Sequence, residues 1–323
     1  MPICLLLCSC SFQPDISDIT TEYAQRLATV MDSSAAELSH ITPLPELPTE
    51  NISADIVEIS LKDFYQLRNC RLYSLVAERN TALGKIQAAS QRYLYEIKLL
   101  QEMQVCLNLI DDKTLREQIQ QWQQQKQSAL QQQWQLVLQS DEIRYALSRN
   151  NGWIGTRQTD QLGETRQSLQ YLLNLRPETH EQRAPSALEK HLQQLQQARL
   201  MARVFRTARL LDSHLSSLTQ WLKARQIHCP DGNAPQQIQY LRNVFGLFFI
   251  EQIQPLASRL NDIYYQLMPK WQSLLQAHKG MDEWLHQRES EFEQYRHSLT
   301  GHIKFWQTLF KQCNLSPPVS NKP

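Results

Sequence analysis

Glycine is scarce, with 8 in 323 residues. Few positions therefore offer the left-handed backbone angles that tight hairpins and strand bulges demand, so a sheet-rich fold is disfavoured. No run of eighteen or more apolar residues occurs, which leaves no helical membrane span. Charge of one sign is also missing: 33 Lys and Arg stand against 32 Asp and Glu, a formal net charge of +1. There is thus no electrostatic footprint for nucleic acid. Glycine-rich phosphate loops, a GxSxG elbow and HExxH are absent. A helix-borne metal site wants Glu-x-x-His on two helices plus further carboxylates. The near matches are Glu37/His40, the reversed pair His286/Glu289 and the four-spaced Glu293/His297. No metal and no cofactor is expected, and no catalytic residue stands out.

What is present favours helix. The chain is 41% hydrophobic and rich in Gln, Leu, Arg and Glu, all good helix formers. The expected fold class is all-α: an elongated multi-helix bundle in two weakly divided lobes. An N-terminal lobe takes residues 11–149 and a C-terminal lobe 164–315, with a joint at 150–163 around Gly152, Gly155 and Gly163 and a tail at 316–323. Pro43, Pro45 and Pro48 force the connector 33–55 to be extended, since each biases its predecessor away from helix. Such a connector is expected to drape over the body.

Apolar residues recurring at three and four predict helices over 15–32, 61–79, 90–106, 115–147, 162–175, 186–226, 236–278 and 281–312. Ser60 and Ser90 are expected N-caps. The tract 118–139 is dense in Gln and reads as a solvated face with a sparse stripe of Trp122, Leu130, Trp134 and Val137. Arg199, Arg203, Arg206 and Arg209 form a row that reads as a solvated face paired with acidic neighbours. Residues 244–250 are the most apolar run and read as a core helix, or as a groove for a lipid or a partner helix. His302, on the last apolar seam, reads as a hydrogen-bonded core histidine. The polar turn with Glu78, Arg79, Asn80, Gly84 and Lys85 is a candidate interaction loop, because a rigid helical hairpin holds it.

The chain opens on a short apolar run ending Leu7-Cys8-Ser9-Cys10, with no Lys or Arg before it. The run resembles a lipobox, in which small residues precede a cysteine that becomes acylated. Residues 1–10 then read as a signal remnant, with Cys10 as the lipidation site. Four cysteines remain, Cys70, Cys106, Cys229 and Cys313, and none lies in a CxxC pair. Four cysteines allow three connectivities. Proximity on the hairpin favours Cys70–Cys106, which leaves Cys229–Cys313. A straight hairpin would offset Cys70 from Cys106 by roughly 10 Å along the axis, so the break in periodicity near 68–71 must absorb that difference.

Three runs carry a family resemblance: Leu-Arg-Asn-Cys-Arg-Leu at 67–72, Ala-Glu-Arg-Asn-Thr-Ala-Leu-Gly-Lys at 77–85, and Ser-Gln-Arg-Tyr-Leu-Tyr-Glu at 90–96. Cys106, Cys229-Pro230, residues 241–245 and Gln254-Pro255 extend it. Together they resemble an uncharacterised family of gammaproteobacterial lipoproteins filed as domain of unknown function 3080. The Gln-rich run after Asp112 departs from that pattern. The resemblance implies an all-helical, envelope-located protein and brings no catalytic residues. The expected role is a non-enzymatic scaffold or adaptor at the periplasmic face of the outer membrane. Its partners would be the membrane, through an N-terminal lipid anchor, and an envelope protein or the cell wall, with no nucleic acid. The alternative is a periplasmic carrier of a lipid or other apolar ligand. A cytoplasmic location follows if the N-terminus is not a signal.

Overall fold

The structure, a computed structural model, describes residues 14–52, 61–79, 87–149, 152–155, 161–178, 185–225, 227 and 229–318. Among them the chain is all-α, with no strand. The helices are α1 (Ile16–Val30), α2 (Leu61–Gln66), α3 (Leu72–Arg79), α4 (Ala89–Leu107), α5 (Lys113–Leu138), α6 (Asp141–Leu147), α7 (Gln161–Asn174), α8 (Leu188–Ala198), α9 (Leu200–Lys223), α10 (Gln236–Val244), α11 (Gln254–Leu275) and α12 (Lys279–Gln312). A π-helix, Phe245–Ile253, joins α10 to α11.

Local chemistry explains several boundaries. Asp15 starts α1 by accepting from the amides of Ser17 and Asp18, while Asp18 accepts from the Asp15 amide. That reciprocal pair satisfies donors which a bare helix start leaves unmet. Pro255 has no amide hydrogen, and its ring crowds the carbonyl four residues back. The wide π-turn directly upstream relieves that conflict, so the helical run continues through Pro255; Pro269 lies inside α11.

Three expectations are corrected. The helix over 186–226 is two helices, because Arg199 adopts φ 45°. α8 packs on α6 and α7, whereas α9 packs chiefly on α12, and the left-handed residue lets the axis turn between those partners. The helix over 115–147 likewise breaks at Gln139 and Ser140. Ser90 is not a cap: Ala88 holds the N-cap position of α4, and Ser90 is buried one residue inside the helix. Ser60 lies outside the described residues.

α9 and α12 run parallel. Phe205 meets Trp284, Arg209 meets Glu291, Ser216 meets Ser298 and Thr219 meets His302 in order along both axes. α1 runs the same way, with Thr20 on His214 and Tyr23 on His302. The segment from α10 through α11 runs antiparallel to α12: Arg242 holds Ser316, Phe249 meets His302, and Tyr264 stacks on Phe292 at 3.5 Å.

The apolar residues form two cores. The larger joins α1 to the bases of α4 and α5 and to every helix from α6 to α12. It draws on residues both before and after 150–163, where Ile154 is itself buried in it. The smaller lies at the far end of the α4–α5 pair and contains Leu67, Leu72, Leu75, Tyr95, Leu99, Met103, Ile119 and Trp122. α4, α5 and the short helices α2 and α3 thus make an arm with its own core.

Candidate functional site

Two features stand out on this body: the arm, and an extended strap formed by residues 33–52.

The arm is closed by the disulfide Cys70–Cys106, with Cα atoms 5.5 Å apart. Cys70 can reach because the helix gives way there. Leu67–Asn69 is a 3₁₀ turn, and Cys70 itself is extended at φ −116°, ψ 152°. This is the break in periodicity that the sequence showed near 68–71. The second pair, Cys229–Cys313, has Cα atoms 5.3 Å apart and ties the turn at Pro230–Gly232 to the end of α12. Closing loops with separations of 36 and 84 residues corresponds to about 4 and about 4.5 kcal/mol in the chain-entropy argument.

Between the two cores, α4 and α5 share a buried ion cluster. Glu96 binds Lys126 Nζ at 3.1 Å and also pairs with Arg92. Burial pushes the Glu96 carboxyl up against the pull of Lys126. Sequence reasoning missed this pair, yet a signal was available. Lys126 is the only charged residue between Glu117 and Asp141, and it falls on the stripe of Ile119, Trp122, Leu130 and Trp134. The Gln-rich tract otherwise behaves as expected, with that stripe buried.

At the arm's end, Val105 is 52% and Leu109 62% exposed on either side of the buried Cys106. Tyr65 on α2 is also exposed. Of the candidate interaction loop, Glu78 and Arg79 close α3 near Tyr95. Asn80, Gly84 and Lys85 lie outside the described residues, as does Cys10.

The strap runs back along the parallel pair α9 and α12, held chiefly through its carbonyls. Trp221 Nε1 donates to Ser34 O at 2.9 Å, His214 Nε2 to Ser39 O at 3.3 Å, and Trp284 Nε1 to Pro45 O at 3.1 Å. Leu44 and Leu47 plug into the core. Glu46 pairs with Arg144 and Arg149, and those two cations hold its carboxyl below the usual range. Glu50 accepts from the Gly280 amide at the start of α12. The proline pattern predicted an extended, draped segment, and its docking follows from these donors.

The row of arginines departs from the expectation of a solvated face. Arg203 and Arg206 are each only 9% exposed. Arg203 donates to Ala198 O at 2.7 Å, and Arg206 lies over the Trp153 ring at 4.3 Å. Arg199 stacks on Tyr145. Their long stems cover apolar surface, which periodicity alone does not reveal. Burial pulls the guanidinium pKa of Arg203 and Arg206 down.

The most apolar run turns Phe245, Gly246 and Phe249 into the core and leaves Leu247 54% exposed. Phe245 and Phe249 stack at 5.0 Å, and Phe245 stacks on Trp306 at 4.8 Å. His302 sits among them, fully buried. Thr219 spends its hydroxyl proton on Leu215 O at 2.6 Å, so His302 Nδ1–H donates to Thr219 Oγ1 at 2.8 Å. Nε2 then accepts from Trp306 Nε1–H at 3.0 Å, with the Tyr23 hydroxyl 3.1 Å away. This is a neutral tautomer, and burial holds its pKa down at about 3. His302 is a core histidine, as its place on the seam suggested.

Among the described residues, no group of three or more His, Cys, Asp or Glu is placed to hold a metal ion, and no helix is long and apolar enough to cross a membrane.

Residues 20–317 match a family described as "Protein of unknown function (DUF3080)". No curated protein and no solved structure matches.

Proposed function

The chain belongs to the DUF3080 family, and from that premise we propose that it is a non-enzymatic helical scaffold or adaptor. In this reading an acylated Cys10 anchors it to the periplasmic face of the outer membrane, and the arm presents a docking surface to an envelope protein. One observation carries the reading. The arm has its own small core and its own disulfide, and its end exposes Val105 and Leu109 to solvent. A separately stapled element with apolar residues turned outward is built to be held out from the body and to meet something. The alternative, a carrier of a lipid or other apolar ligand, would use a hollow beside residues 244–250; the packing of Phe245 and Phe249 with Trp306 and Phe310 there supports the scaffold reading.

The test is site-specific photo-crosslinking in intact cells that make the protein. A photoreactive residue at Leu109 should yield a discrete protein adduct. One at Gln121, an exposed position on α5, should not. Identical adduct patterns from both positions, or none from either, would remove the adaptor reading. Palmitate labelling that is abolished by Cys10→Ser checks the anchor separately.

A further inference from the structure

The strap and the parallel helix pair form a second feature that the scaffold reading does not use. Where residues 40–42 cross α9 and α12, a depression of about 330 Å³ opens. Its walls carry His40 and Thr42 from the strap, Arg209 and Asp212 from α9, and Glu291 and Gln294 from α12. That volume falls within the range of small-molecule sites.

The polar groups around it are incompletely matched. Arg209 reaches Pro43 O at 3.4 Å and Thr42 Oγ1 at 3.3 Å, and its Nε stands 3.9 Å from Glu291 Oε2. All three are longer than the roughly 2.7–2.9 Å of a charge-assisted hydrogen bond. Glu291 Oε2 is buried and accepts no hydrogen bond among the described residues. Next to it, the Arg288 side chain is 0% exposed. Arg288 donates Nη2–H to Glu291 Oε1 at 2.7 Å and leaves Nε and Nη1 without acceptors among the described residues. Asp212 accepts from the Ser298 hydroxyl through Oδ1. Buried polar groups with unmet capacity are uncommon in native proteins and call for a partner.

The signs of the charges say which partner. The lining sets Arg209 against Asp212 and Glu291, and buried Arg288 backs Glu291 from behind. A simple anion on Arg209 would face two carboxylates, and a simple cation between those carboxylates would face Arg209. A ligand that carries both charges avoids each repulsion. Arg209 and Asp212 are three residues apart on one helix, which sets their side chains about 5–6 Å apart at Cβ. That spacing suits the two ends of a small amphoteric molecule. We propose that this depression binds a small zwitterion, a dipeptide with both ends free. Its carboxylate lies on Arg209 and its ammonium between Asp212 and Glu291. Because the strap supplies His40 and Thr42, the site is complete only with the strap docked, so the ligand stabilises that docking.

Calorimetry and saturation-transfer NMR on the full chain test this with three probes. Glycylglycine carries both charges, N-acetylglycylglycine lacks the ammonium, and glycylglycinamide lacks the carboxylate. Glycylglycine should bind, with each capped probe at least tenfold weaker. Arg209→Gln and Asp212→Asn should each weaken glycylglycine at least tenfold, while Lys304→Gln, farther along α12, should leave it unchanged. Equal binding of the three probes would show a non-selective polar surface. No binding of any probe at 10 mM would show a water-filled depression. Unchanged affinity in both site variants would place the binding elsewhere. Each of these results overturns the proposal. Should a site variant fail to fold, the discrimination among probes by the unaltered protein still decides.

Discussion

Acidification should weaken this protein through one buried ring. The native His302 imidazole is neutral and loses its proton-binding strength to burial, with a pKa of about 3. In the unfolded chain an exposed histidine titrates near its ordinary value of about 6.5. As pH falls below about 6.5 the unfolded state takes up a proton that the native state refuses, so stability falls with pH until about 3. Each unit is worth about 1.36 kcal/mol. Between pH 7 and pH 4 the loss from this residue should therefore be about 3 kcal/mol. Protonation cannot be accommodated locally, because Nε2 already accepts from Trp306 Nε1–H and the Thr219 hydroxyl proton is spent on Leu215 O. The assay is urea unfolding of the unaltered protein and of His302→Gln at pH 7 and pH 4. The variant is weaker at pH 7, but it should lose about 3 kcal/mol less on acidification. Carboxylates and His214, whose pKa burial also lowers, act in both proteins and cancel. Parallel losses in the two proteins would refute the argument. So would a His302 ring that protonates near pH 6 by nitrogen chemical shift.

Three further outcomes follow from the packing. The double change Cys70→Ala and Cys106→Ala should raise hydrogen exchange over 61–79 and at the far ends of α4 and α5, while α9 and α12 stay protected. Uniform loss of protection would mean that the two cores unfold as one. Glu96→Leu should cost about 3–5 kcal/mol, because it leaves Lys126 buried without its carboxylate, whereas Glu96→Leu with Lys126→Met should recover most of that. A double variant as unstable as the single one would show that packing, not charge, sets the cost. Trp306→Ala should cost about 3–5 kcal/mol in urea unfolding, since it empties a fully buried aromatic site. A loss under about 1 kcal/mol would mean that the ring is not a core anchor.

Much of the secondary structure was legible because helices announce themselves by local period. The stripes of α1, α5, α9 and α12 could be read residue by residue, and so could the strap's extended backbone, because proline acts on its own neighbours. The cysteine pairing was legible in part. Proximity suggested Cys70–Cys106, and the broken period near 68–71 marked where the chain would bend to allow it. The candidate loop was legible only as a turn, and of its residues the structure places just Glu78 and Arg79.

What the sequence alone determined about this protein is what adjacent residues decide: helix content, the extended strap, the absence of common catalytic and metal patterns, and the family. The tertiary structure decided the rest, for one physical reason. Contacts between residues far apart in the chain leave little local trace. Glu96 and Lys126 are unremarkable until α4 and α5 fold together. Arg203 and Arg206 look solvated until Trp153 and Ala198 arrive beside them. The left-handed turn at Arg199 exists because α8 and α9 face different partners. The division into two cores, and the two-signed depression where the strap crosses Arg209 and Glu291, are likewise products of packing, which no local period encodes.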